Sequence, residues 1–319
     1  MNPRPPTTVI VDVPHRISGF FEPVDVKLGR SVEDLARVGS RGGGPALTMF
    51  GHTTIKLLPT TPSESRCHIF INGEDVTTEA KTTAVVFQQF LDYLKTPVEV
   101  EIRHDFDLPI GCGYGASGAG AIGAAVGLTC VLGLPLTLNQ AGRIAHIAEV
   151  MNKTGLGTVG GQLFAGFNIT THAGYPFILD KLIIPPGTKV ICGSFGPVYT
   201  KSILSSWEWK EKIRSVGAKS FETLFTWPNL QNFMDVCRKF VADVGMLDAL
   251  HLDNVKNLMD ELNTLKIYGA SMNQLGQSVY AICNVKQATA VKKIFEKHEV
   301  TKGPWELEVC YQGPVLRVP

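Results

Sequence analysis

From residue 98 to 106 the chain reads V-E-V-E-I-R-H-D-F, apolar and polar positions in strict alternation. A period of two predicts a strand with one buried face. T-T-V-I-V-D-V (7–13) reads as a short strand, and C-H-I-F-I-N-G (67–73) as another that runs into an Asn72-Gly73 turn. Val85, Val86, Phe90 and Leu94 recur at helical spacing, which predicts a helix over 78–95 with Pro97 beyond its end. The uncharged segment 116–134 predicts a second helix, stopped near Gly133-Leu134-Pro135, and 138–151 predicts a third with Asn139 as N-cap. A strand and loop follow at 185–197, then long helices at 201–215, 229–245 and 252–265. A strand at 278–283, a helix at 286–297 and a strand at 305–312 close the chain. The expectation is an α+β protein of two domains, 1–175 and 176–319, divided around Pro176 and Pro185-Pro186.

Just after the alternating strand, L-P-I-G-C-G-Y-G-A-S-G-A-G (108–120) carries no charge and has glycine at 111, 113, 115, 118 and 120. Inside a regular element each glycine costs roughly 0.5–1 kcal/mol relative to alanine. Such a cluster belongs where the backbone bends sharply or comes very close to something. A Walker loop needs a Gly-Lys dipeptide, and the chain has none. Gly111-x-Gly113-x-x-Ala116 and Gly113-x-Gly115-x-x-Gly118 match a dinucleotide fingerprint. Pro109 interrupts its approach, however, and no acidic residue follows until Glu149, where a ribose ligand is expected about 20 residues on. A strand–loop–helix phosphate site fits better, because bare N–H groups and a helix N-terminus favour an anion. Ser117 then falls in the first turn, where its hydroxyl can reach a phosphate-bound Mg²⁺. A glycine-rich helix start built for close packing, with serine as an ordinary cap, is the alternative reading.

Composition removes other classes. Thirty basic and 29 acidic residues give a net charge of +1, with no broad footprint for nucleic acid. Seven cysteines, an odd number without zinc-ligand spacing, read as reduced thiols of a cytoplasmic protein. The segment 116–134 is long enough to cross a bilayer, and Gly123 and Gly127 form a G-x-x-x-G pair. It has few bulky residues and no Lys or Arg in the dozen residues before it, so a buried helix and no membrane partner are expected.

The run from Pro109 to Ala119 resembles the P-x-G-x-G-L-G-S-S-A-A signature of the GHMP kinases. It matches at Pro109, Gly111, Gly113, Gly115, Ser117 and Ala119, and departs at Tyr114, Ala116 and Gly118. V-P-H-R-I-S-G-F-F-E-P (13–23) is similar to the N-terminal segment of one branch, the archaeal pantoate kinases. G-S-R-G-G-G-P-A-L (39–47), T-G-L-G (154–157) and G-A-S-M-N-Q-L-G-Q-S-V-Y-A-I (269–282) fall where that branch has its motifs.

The resemblance implies a two-domain GHMP-kinase-like fold with the nucleotide site at the domain interface. ATP would lie on Gly111, Gly113, Tyr114, Gly115, Ala116, Ser117 and Gly118, with Ser117 and Glu149 holding Mg²⁺. Glu149 also sits beside Ala145 and Ala148 at the edge of an apolar helix face, where a carboxylate is costly unless paired or bound to a cation. A solvated surface glutamate is the alternative. Arg16 stands where related kinases carry a lysine, to neutralise the γ-phosphate or hold a substrate carboxylate. His15, Ser18 and Glu22 are candidates for substrate binding, and Thr200, Lys201 and Ser202 for facing the cleft from the second domain.

One position departs from the family. Thr158 stands where many members have the aspartate cast as base, and threonine cannot act as a base at neutral pH. Phosphoryl transfer can still proceed by positioning and charge neutralisation. The implied reaction is ATP-dependent phosphorylation of the primary hydroxyl of pantoate to 4-phosphopantoate, towards coenzyme A, by a cytoplasmic homodimer. Thr158 leaves open a relative acting on pantothenate, mevalonate or a polyol, and a nucleotide sensor without turnover. A nicotinamide-dependent oxidoreductase is the reading from another class.

Overall fold

The computed structural model describes residues 5–27, 30–197 and 206–319. Thr200, Lys201 and Ser202 lie outside them. The first sheet is organised by one long strand, Gly39–Leu57, which pairs antiparallel with Thr8–Arg16, Phe20–Val24, Glu99–Phe106 and Phe167–His172. This strand was not expected, because its first half, G-S-R-G-G-G-P, shows no alternation. The glycines there serve close approach instead: a Cβ on Gly44 would run into the carbonyl of Ile17. The alternating strand appears as Glu99–Phe106, and Asn72-Gly73 turns the chain between Arg66–Ile71 and Glu74–Asp75.

Helices Lys81–Phe90, Ala116–Val131 and Leu138–Asn152 pack together, and the middle one lies on the sheet. The apolar Ala116–Val131 segment is buried along nearly its whole length. Cβ atoms at Gly123 and Gly127 would collide with Thr53 and Ile55, so the G-x-x-x-G pair seats a helix on a strand, not on another helix. Among the described residues no helix is long and apolar enough to cross a membrane. Leu138–Asn152 is capped by Thr137, not Asn139, through a capping box with Gln140. A seven-residue helix, Thr158–Phe164, occupies a further glycine-rich stretch, T-G-L-G-T-V-G-G-Q-L-F-A-G (154–166), which carries no strong periodic signal.

The second sheet runs antiparallel in the order Gly269–Met272, Gln277–Asn284, Thr188–Gly196, Lys302–Leu307. Helices Leu230–Val244, Asp253–Leu262 and Ala288–Lys297 pack on it, while Trp207–Thr226 lies against Leu230–Val244 and the Phe20–Val24 strand of the first sheet. The sheets change between Lys181 and Thr188, and Val315–Arg317 then returns to pair with Thr8–Arg16. Ile178–Lys181, which pairs with Phe167–His172, and Val315–Arg317 are thus two strands of the 176–319 segment that belong to the first sheet. The core is continuous across the two sheets: Ile17, Phe20 and Phe167 lie in one buried cluster with Phe233, Val279 and Tyr280.

Candidate active site

The glycine loop is threaded between the end of the first strand and a turn of the second sheet. Gly111, Gly113 and Gly115 have φ of +76°, +86° and +75°, a left-handed backbone that side-chain-bearing residues rarely hold. The residues between them point inward: Cys112 and Tyr114 are 3% and 1% exposed, and Tyr114 meets Trp305 edge-on. The alternation anchors the loop by its side chains and leaves its glycines facing a cavity. Arg16 N–H donates to the Tyr114 carbonyl at 3.1 Å, and Ser278 Oγ donates to the Cys112 carbonyl at 2.7 Å. Gly276 lies so close to Cys112 that a Cβ there would overlap its carbonyl.

The Ala116–Val131 helix starts at Gly115, and no side chain caps it. Its first-turn N–H groups have no intrahelical partners. Ser117 does not serve as a cap; its hydroxyl donates to Glu149 Oε1 at 2.5 Å. That decides against the ordinary-cap reading. Thr154 Oγ1 donates to the same oxygen at 2.5 Å. Glu149 is 1% exposed, and no described Lys, Arg or His forms a salt bridge with it. Burial pushes its carboxyl above the usual carboxylate range, against the pull of the two hydroxyls. A buried carboxylate with two hydroxyls and no counter-ion among the described residues is a hard-oxygen donor set that fits a small divalent cation.

Arg16 supplies the opposite charge. It is 4% exposed, its Nη1 donates to the Gly157 carbonyl at 3.1 Å, and its Nε has no partner among the described residues. Its guanidinium lies directly on the backbone of Gly161, where any Cβ would occupy the same space. Burial lowers its pKa to about 10, so it stays charged at neutral pH.

These groups surround a cavity of about 350 Å³. Its walls carry Arg16, Ser18, Gly111, Gly113, Tyr114, Gly115, Ala116, Ser117 and Thr158, all expected from the sequence. Sequence reasoning missed Phe20, Phe21, Ser40, Lys153, Thr170, Gln274 and Leu275, which also line it. A second cavity of about 300 Å³ shares Ile110, Ala116, Ser117 and Thr154 with the first and continues past Thr83, His104 and Phe106. No carboxylate or imidazole is among the described residues lining the first cavity.

Four expected residues stand elsewhere. His15 is fully buried behind the loop: Leu108 N–H donates to its Nε2 at 3.4 Å, so Nδ1 carries the proton and donates to the Tyr114 carbonyl at 3.0 Å. It braces the loop and does not reach the cavity. Glu22 accepts from Arg41 Nε at 2.6 Å across the strand pair, and Arg41 in turn covers Phe221. Gly118 faces Gln162 and Thr158, where a Cβ would be 2.6 Å from Gln162 Oε1 and 2.9 Å from Thr158 Cγ2. Glu149 lies behind the cavity wall, under Ser117 and Thr154. Thr158 begins its short helix and lays its methyl on Gly115 and Gly118.

The buried histidines carry a pH signature. Burial lowers His15 and His104 to about 4, well below the ordinary value near 6.5. Their stabilising contribution is complete above the unfolded pKa and is lost as pH falls from about 6.5 to about 4, because the unfolded chain binds the protons first. Denaturant unfolding between pH 7 and pH 4 should lose up to about 3 kcal/mol per histidine. A flat profile across that window would contradict the assignment of both as neutral core groups.

Comparison with known proteins agrees with this geometry. Residues 80–166 match the family of GHMP kinases N terminal domain. The chain is 31% identical over 304 residues to a pantoate kinase of Thermococcus kodakarensis, covering 94% of each chain. It is 28% identical over 270 residues to a pantoate kinase of Methanocaldococcus jannaschii, covering 84% of this chain and 90% of that one. A solved phosphotransferase related to the CoA biosynthesis pathway superposes with a TM-score of 0.83 at 27% identity, covering 97% of this chain and 98% of the other. By fold and phosphate loop this is a GHMP-type kinase, an ATP-dependent phosphotransferase. Within that superfamily the chain belongs to the pantoate kinase family.

Proposed function

We propose that this chain transfers the γ-phosphoryl group of ATP to the primary hydroxyl of pantoate, giving 4-phosphopantoate and ADP on a route to coenzyme A. The observation that carries the reading is a buried, uncompensated guanidinium facing a bare-backbone phosphate loop, in a chain with pantoate kinase relatives over nearly its whole length. The cavity's chemistry suits the acceptor. Pantoate has a carboxylate, two hydroxyls and two methyl groups; the walls offer the Arg16 cation, the hydroxyls of Ser18, Ser40 and Thr170, and the apolar Phe20, Phe21 and Leu275. The second cavity adjoins the loop at Ser117 and supports a site for the nucleoside.

Ser117 and Glu149 are the residues that would hold Mg²⁺. When bound, the ion neutralises phosphate charge. Arg16 and the amides around Gly113 and Gly115 would orient the γ-phosphoryl group and stabilise the charge on its oxygens. The hydroxyl oxygen attacks phosphorus as the bond to the β-phosphate oxygen breaks. In a loose transition state that proton leaves late, so a side-chain base is dispensable, in keeping with Thr158. The hydroxyl proton passes to the transferred phosphoryl group or to water.

The same reading makes the enzyme a cytoplasmic homodimer. Its seven free cysteines suit a reducing compartment, and the family resemblance supports the dimer. An ADP-release assay over pantoate, pantothenate, mevalonate, homoserine and inositol tests the acceptor. Turnover on pantoate alone is expected, reduced by about 10²-fold in Ser117→Ala. Preference for another acceptor would overturn the substrate assignment.

A further inference from the structure

Gln162 is a buried polar side chain that the reaction described above does not use. Gln162 lies on the Thr158–Phe164 helix and is 0% exposed. Its amide nitrogen donates to the Pro14 carbonyl at 2.9 Å and to the Gly115 carbonyl at 3.0 Å. Pro14 precedes Arg16 on the first strand, and Gly115 opens the phosphate helix. An amide nitrogen has two hydrogens, and both are used. That arithmetic fixes the orientation of the group, because only the nitrogen can satisfy two carbonyls. Oε1 must then face Gly118, where it has no hydrogen-bond partner among the described residues.

Around this amide three segments meet that are distant in sequence. The helix carrying Gln162 also carries Thr158, packed on Gly115 and Gly118, and Gly161, on which the Arg16 guanidinium rests. Gly157, at the start of the same helix, accepts from Arg16. We propose that Gln162 is a positioning residue that locks the Thr158–Phe164 helix in register with the phosphate loop, so that Arg16 and the loop amides converge on one phosphoryl group.

The proposal rests on the kinase reading and deepens it. A register shift of about 1 Å between groups that must converge can cost on the order of 10²-fold in rate. Gln162→Leu removes both donors at similar volume, and Gln162→Asn keeps the amide but withdraws it by one methylene. In each folded variant, kcat on pantoate at saturating ATP should fall at least about tenfold, with the KM for pantoate moving less than about threefold. A purely structural residue would lower the melting temperature and leave kcat unmoved well below it. A kcat within twofold of the parent in folded Gln162→Asn overturns the proposal, and that variant alone decides if Gln162→Leu does not fold. If the parent itself does not phosphorylate pantoate, the functional reading has failed. Gln162 is then judged by direct binding of a nonhydrolysable ATP analogue: about fivefold weaker binding in Gln162→Asn sustains it and unchanged binding overturns it.

Discussion

Arg16→Met is expected to lower kcat/KM by about 10³-fold or more while leaving the melting temperature unchanged or higher. The two halves of this expectation share one cause. Burial depresses the Arg16 pKa from 12.5 to about 10, which corresponds to about 3 kcal/mol spent holding the charge out of water. Among the described residues no carboxylate offsets that cost, and a single charge-assisted hydrogen bond to the Gly157 carbonyl contributes about 1.5–3 kcal/mol, so the guanidinium adds little net stability. Methionine keeps the aliphatic stem that packs near Gly115, where a Cβ would lie 3.4 Å from Arg16 Cγ. The stability of the unliganded protein therefore survives, and the phosphoryl group loses its cation. ADP release and thermal unfolding measured on one preparation check both halves. Retained turnover with a lowered melting temperature would make Arg16 a structural arginine.

Glu149→Gln is expected to reduce turnover by about 10²-fold and to raise the Mg²⁺ concentration needed for half-maximal rate. The amide keeps the size of the carboxyl and can still accept from Ser117 and Thr154, so the wall behind the cavity stays closed. What disappears is the negative charge. Because burial raises this carboxyl in the absence of a cation, the parent's apparent Mg²⁺ affinity should weaken as the pH is lowered. The variant should lose that dependence. Titrating Mg²⁺ against initial rate at several pH values tests it; an unchanged Mg²⁺ requirement would remove Glu149 from the metal site.

Part of the candidate site is legible in the sequence. The glycine loop, Ser117 in the first helical turn and Glu149 on the next helix are local features. Glycine spacing, a first-turn hydroxyl and a carboxylate on an apolar edge each leave a mark within a short window. The elements with clear period, such as Glu99–Phe106 and Leu138–Asn152, were equally legible. The long strand Gly39–Leu57 was not, because its glycines exist to let Ile17 and neighbouring strands approach, and close approach leaves no alternation to read. His15 looked like a substrate ligand from its place beside Arg16. Adjacent residues on a strand point to opposite faces, and only the fold says which face holds the cavity.

By itself the sequence determined where the glycine loop, the first-turn hydroxyl of Ser117, the carboxylate of Glu149 and the threonine at 158 stand along the chain. These follow from residue type and local spacing. The tertiary structure alone decided that Arg16 is buried without a counter-ion among the described residues and that Gln162 ties the first strand to the start of the Ala116–Val131 helix. Both are consequences of segments about 150 residues apart meeting at backbone contact (|i−j| of 141 and 148). Such contacts depend on which side chains are missing, at Gly115, Gly118 and Gly161, as much as on those present.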